Sequence, residues 1–538
     1  MTANISRRTL LAATGGAALA GSAGLTTSSY AGPQGAAGLQ GAAGRDPGAL
    51  LKGNWHPSRH DRALVGRWAR DTWRSLVAMT DETTGLPADN IGASVSSPVR
   101  SKYTSPTNIG GYLWSVVVAR ELGIISPHES VRRLTQTLTT MSRVDHHEPS
   151  GMYFNWYDEA TGEVLTVDPD GTKQITPFVS SVDNGWFAAA LMVVRNAEPR
   201  VRRLADSLLN KMNFAYYYNP AARPGGLMRG GFFETSPPDE ETDKGNHAGT
   251  GPDVYYRKFH YDTLNTEARI AGYIGFALGQ VPHTQYFATY RTFPDSCDWS
   301  WVEQRPKGVH RTYLGLDVYE GTYSYRGMRL VPSWGGDMFE SLMPDLFVPE
   351  AKWAPRSWGI NHPLTVRAQI EHGLLEAKYG YWGFSPASNP KGGYAVYGVE
   401  PIGMDPGGYP SDLEGTNYDG GFEGCRDGAN PNPTYGDGVV TPHAAFLAMS
   451  YAPRQAIANL SKIEKELHAY GAGGFYDAVA VKSGLIAKRY LALDQAMVMG
   501  AIGNVFGNDL IRRNFADRRA ERGIRPVIAM EQFSSGLE

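Results

Sequence analysis

Carboxylates recur at the points where long uncharged segments of this chain begin. The acids at these points are Asp183, Glu267, Glu340, Asp437 and Asp494. Helices that carry no charge around their circumference are buried ones. Acids at the starting ends of several buried helices would form a ring at one mouth of an all-helical barrel. Such a ring favours acid–base chemistry on a neutral, polar substrate.

A pair of helices repeats along the chain and would position these acids. The first member is uncharged, as in 109–119, and the second is amphipathic and begins with proline, as at Pro127. Inner helices are predicted near residues 108, 183, 263, 337, 439 and 490. Outer helices are predicted near residues 59, 127, 199, 285, 362 and 453, and the pattern near 285 is the weakest. Six alternating pairs predict an all-α fold, an (α/α)6 barrel or toroid.

Aromatic residues and loops indicate the kind of ligand. The stretches 219–260 and 384–437 are rich in Gly and Pro, and we expect loops or short β-hairpins there, over the mouth. The chain has 12 Trp, 29 Tyr and 63 Gly. Aromatic rings in Gly-rich loops, as in 379–384, suit stacking against sugar rings. Any single ring suits the core equally well, but the excess as a whole favours an oligo- or polysaccharide substrate.

The first residues have the character of an export signal. A twin-arginine motif lies within 6–11 and is followed by small apolar residues, which predicts a twin-arginine signal peptide over 1–31, with a Sec signal as the alternative. We interpret 32–55 as a flexible Gly/Ala-rich linker and 56–538 as the functional domain. The apolar run is too short and too rich in Gly and Ala for a membrane helix. We therefore expect a mature chain without a membrane span, located in the periplasm, at the cell surface or outside the cell.

Composition and missing motifs exclude several functional classes. The formal charge of −3 leaves no basic excess for binding nucleic acid. The sequence has no serine-hydrolase elbow, no P-loop and no paired-histidine zinc motif, so we expect no cofactor and no metal. The acidic segment 405–427 matches no calcium-ligand spacing. Cys297 and Cys425 could pair or remain thiols. The sequence does not indicate the oligomeric state.

Six motifs in order resemble a known family. They are SVDNG at 181–185, YD at 261–262 with TEAR at 266–269, WGGDMFESLMP at 334–344, GGYAVYG at 392–398, GFYDA at 474–478 and LALDQ at 491–495. Together they resemble the glycoamylase-like domain of bacterial endo-β-1,2-glucanases and cyclic β-1,2-glucan synthases, over roughly residues 60–530. The resemblance implies an (α/α)6 barrel and a glycoside hydrolase acting on a β-glucan. The β-1,2 linkage is the leading expectation for that glucan.

The chain departs from the family pattern in two places. Ala496 follows the last motif where the family usually has Gly. The segment 405–435 is not typical of the family and looks like an insertion over the cleft; its acids are Asp412, Glu414, Asp419 and Glu423. A loop there could change the substrate or the cleavage mode. Linkage specificity is therefore a weaker implication than reaction class.

Glycoside hydrolysis needs one carboxylic acid and a second carboxylate as base or nucleophile. Glu267 is the candidate acid; its alternative role is an ion pair with Arg269 or with an outer helix. Asp183 is the candidate base, and an N-cap is its alternative role. Glu340 would hold substrate or replace Asp183, and it could instead pair with a cation such as Arg329.

Eight further residues are predicted to bind substrate. They are Asn184, Tyr261, Arg269, Trp334, Trp382, Tyr394, Asp477 and Asp494. In a toroid, Asp183 and Glu267 would start adjacent helices with axes about 8–10 Å apart. Their carboxyl groups could then take the spacing of about 6.5–9.5 Å that admits a water molecule, which predicts inversion. The alternative functions are a polysaccharide lyase, which would need a basic cleft, and a non-catalytic glycan-binding protein.

Overall fold

The computed structural model describes residues 55–95, 100–169, 172–293, 304–404 and 434–538. The predicted signal peptide and nearly all of the predicted linker lie outside these ranges. Cys297, Cys425 and the acidic segment 405–427 also lie outside them. The expectations for those parts of the chain therefore remain predictions.

Helices dominate the described residues. They are α1 (Arg59–Met79), α2 (Pro106–Glu121), α3 (Pro127–Met141), α4 (Ser181–Ala197), α5 (Arg202–Leu209), α6 (Arg269–Leu278), α7 (Thr284–Ala288), α8 (Met338–Leu342), α9 (Glu350–Trp353), α10 (Trp358–Glu371), α11 (Pro442–Leu447), α12 (Pro453–Glu466), α13 (Ala492–Phe506), α14 (Leu510–Phe515) and α15 (Arg518–Ile528). A π-helical turn, His372–Glu376, extends α10, and a 3-10 turn, Ala448–Ser450, extends α11. Within these ranges, every helix is too short or too polar to span a membrane.

Six helices form a closed inner ring. They are α2, α4, α6, α8, α11 and α13; each lies beside the next, and α13 packs back against α2. Residues of α4 and α13 are buried on all sides, as expected for helices without surface charge. A Cβ atom on Gly110 would lie 3.1 Å from the carbonyl oxygen of Trp186, and one on Gly111 would lie 2.8 Å from the Cβ of Ala496. These two glycines let α2 approach both neighbours.

The outer helices α1, α3, α5, α10 and α12 lie where the sequence predicts them, so the (α/α)6 toroid is confirmed. The weak pattern near 285 corresponds to α7, which has only 5 residues. The helix α15 packs against the outside of the inner helix α6. Arg519 Nε of α15 donates to the carbonyl of Ala277 in α6 at 3.2 Å. The sequence analysis did not predict α14 or α15, because their charged sequence lacks the uncharged-then-amphipathic pairing.

Short strands connect the helices, as predicted for the loops. They are β1 (Asn90–Gly92), β2 (His146–His147), β3 (Met152–Tyr153), β4 (Phe178–Ser180), β5 (Tyr218–Asn219), β6 (Leu227–Arg229), β7 (Gly231–Phe233), β8 (Thr242–Gly245), β9 (Val254–Arg257), β10 (His260–Tyr261), β11 (His310–Tyr313), β12 (Leu316–Tyr319), β13 (Tyr323–Tyr325), β14 (Met328–Leu330), β15 (Ala387–Ser388), β16 (Tyr394–Ala395), β17 (Val439–Val440), β18 (Tyr470–Gly471), β19 (Gly474–Phe475), β20 (Ala478–Ala480), β21 (Ile486–Ala487), β22 (Arg489–Leu491) and β23 (Gly536–Leu537). Paired strands are antiparallel and form small sheets; the largest has the order β4-β7-β9-β8. Strands β4, β17 and β22 lead directly into α4, α11 and α13. The sheets that contain these three strands therefore lie at the end of the barrel where the inner helices begin.

Candidate active site

The predicted acids lie at the starting ends of the inner helices. Asp183, Glu340 and Asp494 lie in the first turns of α4, α8 and α13. Glu267 lies in the turn 267–268, which directly precedes α6. Because each inner helix is followed by a returning outer segment, these ends share one side of the toroid. This end of the barrel, where the inner helices begin, is called the mouth below.

Hydrogen bonds connect Glu267 with Glu340 and with Trp186 of α4 along one side of the mouth. Trp186 Nε1 donates to Glu267 Oε2 at 2.7 Å. The backbone N–H of Glu267 donates to Glu340 Oε2 at 2.5 Å. Asp183 lies one turn before Trp186 on α4, so the two side chains share a helix face. The structure thus brings Glu267 and Glu340 into contact, and it places Asp183 on the same helix as Trp186, which donates to Glu267.

Asp183 is buried and held by neighbouring donors. Thr107 Oγ1, in the first turn of α2, donates to Asp183 Oδ1 at 2.6 Å. With its amide nitrogen facing Asp183, Asn155 donates to Oδ2, and its oxygen accepts from Trp156 Nε1 at 2.9 Å. The Asp183 N–H donates to Ser180 Oγ, so the N-cap of α4 is Ser180 and not Asp183. The side chain of Asp183 therefore does not cap α4, and its two oxygens accept from Thr107 and Asn155 instead.

Glu340 has an environment that favours its protonated form. Burial, and then the nearby carboxyl groups of Asp337 and Glu267, raise the pKa of Glu340 well above its usual 4.5. Its carboxylate receives the N–H of Glu267, and Asp337 Oδ1 caps α8 by accepting the Glu340 N–H at 2.8 Å. The raised pKa favours the protonated form of this carboxyl group. The alternative pairing with a cation such as Arg329 is not among its hydrogen bonds in the described residues.

A second buried group lies across the mouth. His443 in the first turn of α11, Asp477 next to β20 and Asp494 on α13 place ligand atoms within 4.8 Å of one another. His443 Nδ1 lies 3.7 Å from Asp494 Oδ2, and the Ser388 N–H donates to Asp477 Oδ2 at 2.7 Å. Burial, and then the Asp494 carboxyl, raise the pKa of Asp477 well above its usual 3.8. Side chains of these types could hold a divalent cation, although the sequence predicts none.

Three polar residues at the mouth were missed by the sequence analysis. Asp89 accepts hydrogen bonds from Asn108 Nδ2 at 2.8 Å and from the Tyr103 hydroxyl at 3.3 Å. Asp337 caps α8, and His443 occupies the first turn of α11. Asp337 lies in the WGGDMFESLMP motif and His443 follows a proline that starts an uncharged helix, so both had a sequence signal. Asp89 lies in an irregular loop that gave none.

Three of the predicted substrate-binding side chains are used inside the protein instead. The Asn184 amide bonds both backbone groups of Tyr153, at 2.8 and 2.9 Å, which fixes β3 to α4. Arg269 is buried and donates to Glu350 and to backbone carbonyls. Trp382 is only 2% exposed, so its ring lies in the core and offers no face to a sugar. The sequence could not reveal these roles, because the groups that bond or cover the three side chains come from other parts of the chain.

The remaining predicted aromatic residues are partly exposed. Tyr261 lies in β10, Tyr394 lies in β16, and Trp334 lies before α8 with its ring edge-on to Phe293. These three stay candidates for contact with substrate. Asp437 does not belong to the mouth group, because its carboxylate accepts from the N–H and the hydroxyl of Ser483 at 2.7 Å in an exposed turn.

Two protein-family models match parts of this chain. Residues 305–519 match the Glycoamylase family model, whose description reads “Putative glucoamylase”. Residues 67–220 match DUF3131, a family of proteins of unknown function. The chain carries a glycoamylase-like domain. The resemblance inferred from the six motifs is thereby confirmed.

The chain also has a curated relative. It is 27% identical to the cyclic β-(1,2)-glucan synthase NdvB of Rhizobium meliloti (strain 1021), over 83% of this chain. The aligned part spans only 18% of that much longer relative.

Several solved structures have the same fold as this chain. The endo-β-1,2-glucanase from Chitinophaga pinensis, in complex with sophorotriose and glucose, superposes with a TM-score of 0.59 at 15% identity, covering 87% of this chain and 98% of that one. The β-1,2-glucanase from Parabacteroides distasonis gives 0.62 at 17% identity, covering 87% and 60%. The endo-β-1,2-glucanase from Talaromyces funiculosus, in complex with sophorose, gives 0.56 at 12% identity, covering 88% and 90%. At these identities the likeness establishes the fold.

Proposed function

We propose that this protein is a glycoside hydrolase that cleaves β-1,2-linked glucan. The observation that carries the proposal is that Asp183, Glu267 and Glu340 lie at the mouth of the toroid, where Glu267 bonds both Glu340 and Trp186 of the helix that carries Asp183. Glycoside hydrolysis needs a pair of carboxyl groups beside the scissile bond. The choice of linkage is supported by similarity to a cyclic β-(1,2)-glucan synthase and by the fold shared with β-1,2-glucanases.

In this proposal Glu267 is the general acid. Its side chain is half-buried, unlike that of Asp183, and the Trp186 indole fixes one of its oxygens at 2.7 Å. The other oxygen can carry the proton toward the glycosidic oxygen of a bound glucan. Glu340 accepts a hydrogen bond from the Glu267 N–H. Its raised pKa favours the protonated carboxyl, so it is unsuited to the role of base.

Asp183 is the proposed base in a single displacement. It accepts hydrogen bonds from Thr107 and Asn155, an arrangement that suits an ionised carboxylate, which only accepts. Asp183 removes a proton from water while the water oxygen bonds to the anomeric carbon. The glycosidic C–O bond breaks, and the leaving oxygen takes the proton of Glu267. The first product of a β-glucan is then the α-anomer.

A panel of neutral glucans tests the reaction class and the linkage. Purified protein is incubated with β-1,2-, β-1,3- and β-1,4-glucans, and new reducing ends and the absorbance of unsaturated products are measured. Reducing ends from β-1,2-glucan alone support the proposal. Unsaturated products would instead indicate a lyase, and binding without cleavage would indicate a glycan-binding protein. Proton NMR of the first product then reports the anomer, and an initial β-anomer would contradict the single displacement.

We also propose export by the twin-arginine pathway, on the basis of the motif containing Arg7 and Arg8. Replacing both arginines with lysine should keep the protein in the cytoplasm. Cell fractionation followed by immunoblotting measures this. Unchanged export of the Arg7→Lys, Arg8→Lys variant would favour the Sec pathway.

A further inference from the structure

One arginine joins the two chain segments that carry Glu267 and Glu340. Arg269 is buried, and its Nη1 donates to the carbonyl oxygens of Thr266 and Glu340, both at 2.8 Å. Its Nη2 donates to the carbonyl of Ser341 at 2.6 Å. Thr266 directly precedes Glu267 in the chain. A single side chain therefore ties the backbone beside Glu267 to the backbone of Glu340.

A carboxylate behind the guanidinium fixes its orientation. Glu350 is fully buried and accepts from Arg269 Nε at 2.7 Å and Nη2 at 2.9 Å. The Tyr273 hydroxyl donates to Glu350 Oε1 at 2.6 Å, and His362 Nε2 lies 2.9 Å from Oε2. Burial acts to raise the pKa of Glu350, but Arg269 and then His362 lower it to about 2. The carboxylate stays ionised, and bidentate pairing with it fixes the angle of the guanidinium as well as its distance.

We propose that Arg269 and Glu350 are positioning residues that hold the Glu340 carboxyl against the backbone of Glu267. The contact that they position is the hydrogen bond from the Glu267 N–H to Glu340 Oε2, at 2.5 Å. The inference rests on the proposed function, in which Glu267 transfers the proton and Glu340 is its neighbour. Neither Arg269 nor Glu350 touches the substrate in this proposal.

The structure contains a second Arg–Glu pair that serves as a matched control. Arg291 and Glu531 are fully buried, Arg291 Nε donates to Glu531 Oε1 at 2.7 Å, and the Tyr286 hydroxyl donates to Glu531. Arg291 Nη1 donates to the carbonyl of Thr289 at 2.6 Å. Both pairs are buried and both glutamates accept from a tyrosine hydroxyl, but Arg291 also lies 3.8 Å from a second carboxylate, that of Glu320. Only the pair of Arg269 and Glu350 bonds the backbone beside the proposed catalytic carboxyls.

The kinetic test compares Glu350→Gln with Glu531→Gln. Both variants are assayed on β-1,2-gluco-oligosaccharides, at a temperature well below the melting point of each. We expect Glu350→Gln to lower kcat by about 10²-fold with a smaller change in KM, since displacement of a catalytic group by about 1 Å can have that effect. We also expect a shifted pH profile of kcat, because the neighbour of Glu267 moves. Glu531→Gln should leave kcat and the profile unchanged. Equal kinetic effects in the two variants would overturn the proposal.

Hydrogen exchange tests the same geometry without an activity assay. Peptides that cover 264–268 and 338–343 should exchange faster in Glu350→Gln than in the wild type, and not in Glu531→Gln. Unchanged exchange in Glu350→Gln contradicts the positioning role. A wild type that cleaves no glucan contradicts the proposed function, while the exchange result still decides the positioning contacts.

A milder pair of variants covers the case in which a glutamine variant does not fold. Tyr273→Phe removes one hydroxyl from Glu350, and Tyr286→Phe removes one from Glu531. Tyr286→Phe also removes the acceptor of Trp358 Nε1, so it is the more disruptive of the two for packing. We expect a lower kcat and faster exchange at 264–268 in Tyr273→Phe only. The opposite ranking would overturn the proposal.

Discussion

Buried acids at the mouth and buried acids beneath it have opposite electrostatic environments. Beneath the mouth, Arg269 pairs with Glu350 and lowers the pKa of that glutamate to about 2, and Arg512 Nη2 pairs with Asp345 at 2.6 Å. At the mouth, burial and neighbouring carboxyls raise the pKa values of Glu340 and Asp477. Removing a buried acid that is matched by a cation destabilises the fold, because the buried cation is then left uncompensated. A buried acid surrounded by other acids is suited to holding and moving a proton.

The largest expected effect is on Glu267, at the mouth. Glu267→Gln keeps the shape of the side chain but cannot donate the proton, so we expect kcat on β-1,2-glucan to fall by about 10²–10⁴-fold. The melting temperature should change little. Glu148→Gln is the control, because its side chain is 80% exposed and its ion-pair partner is His146. Near-normal turnover by Glu267→Gln would remove Glu267 from the mechanism.

The acid beneath the mouth should instead affect stability. Asp345 is 2% exposed and accepts from Arg512 and from the Tyr451 hydroxyl at 2.8 Å. Asp345→Asn leaves Arg512 with less compensation, and we expect the free energy of unfolding to fall by about 3–5 kcal/mol. Urea denaturation followed by circular dichroism measures this change. A stable Asp345→Asn variant would show that the ion pair is not what holds this region.

Asp477→Asn, the matched substitution at the mouth, should change the activity and leave the stability intact. The pKa of Asp477 is raised in the fold, so the stability that its protonated form contributes is present at low pH and is lost as pH rises through the folded pKa. Asp477→Asn cannot ionise, and we expect it to melt at the wild-type temperature or above at pH 7. Its kcat/KM should fall by about 10–100-fold if Asp477 hydrogen-bonds the substrate.

Calorimetry and steady-state kinetics on the same Asp477→Asn sample separate the two effects. A loss of stability comparable to that of Asp345→Asn would remove the distinction between the two groups of acids. Unchanged kcat/KM would remove Asp477 from the substrate contacts.

The smallest expected effect concerns alkaline pH. Burial, and then Glu531, raise the pKa of Glu320 from 4.5 to about 8 in the folded protein. Its contribution to stability is therefore complete below about pH 4.5 and is lost as pH rises through about 8. We expect the wild-type melting temperature to fall by a few degrees between pH 7 and pH 9, and to fall less in Glu320→Gln. Parallel curves for the two proteins would contradict this origin of the alkaline loss.

Helix pairing and the placement of acids followed from the sequence because they are local properties. An uncharged run such as 184–194 must be buried along its whole length, and the proline at Pro127 or Pro453 marks where the next helix begins. Both signals extend over fewer than about 20 residues, the length of one helix. They predicted the order of inner and outer helices, and the mouth carboxylates Asp183, Glu267 and Glu340, from composition and spacing.

Only the tertiary structure decided which polar side chains face the mouth and which are used inside. Arg269 and Glu350 are 81 residues apart in sequence, and the Asn184 amide bonds a strand 31 residues away. Trp382 is covered by packing that no local pattern reveals. The C-terminal helix α15 packs against α6, far from it in sequence. Periodicity fixes which face of a helix is buried, but the partner of a charge depends on which distant segments the closed ring brings beside it.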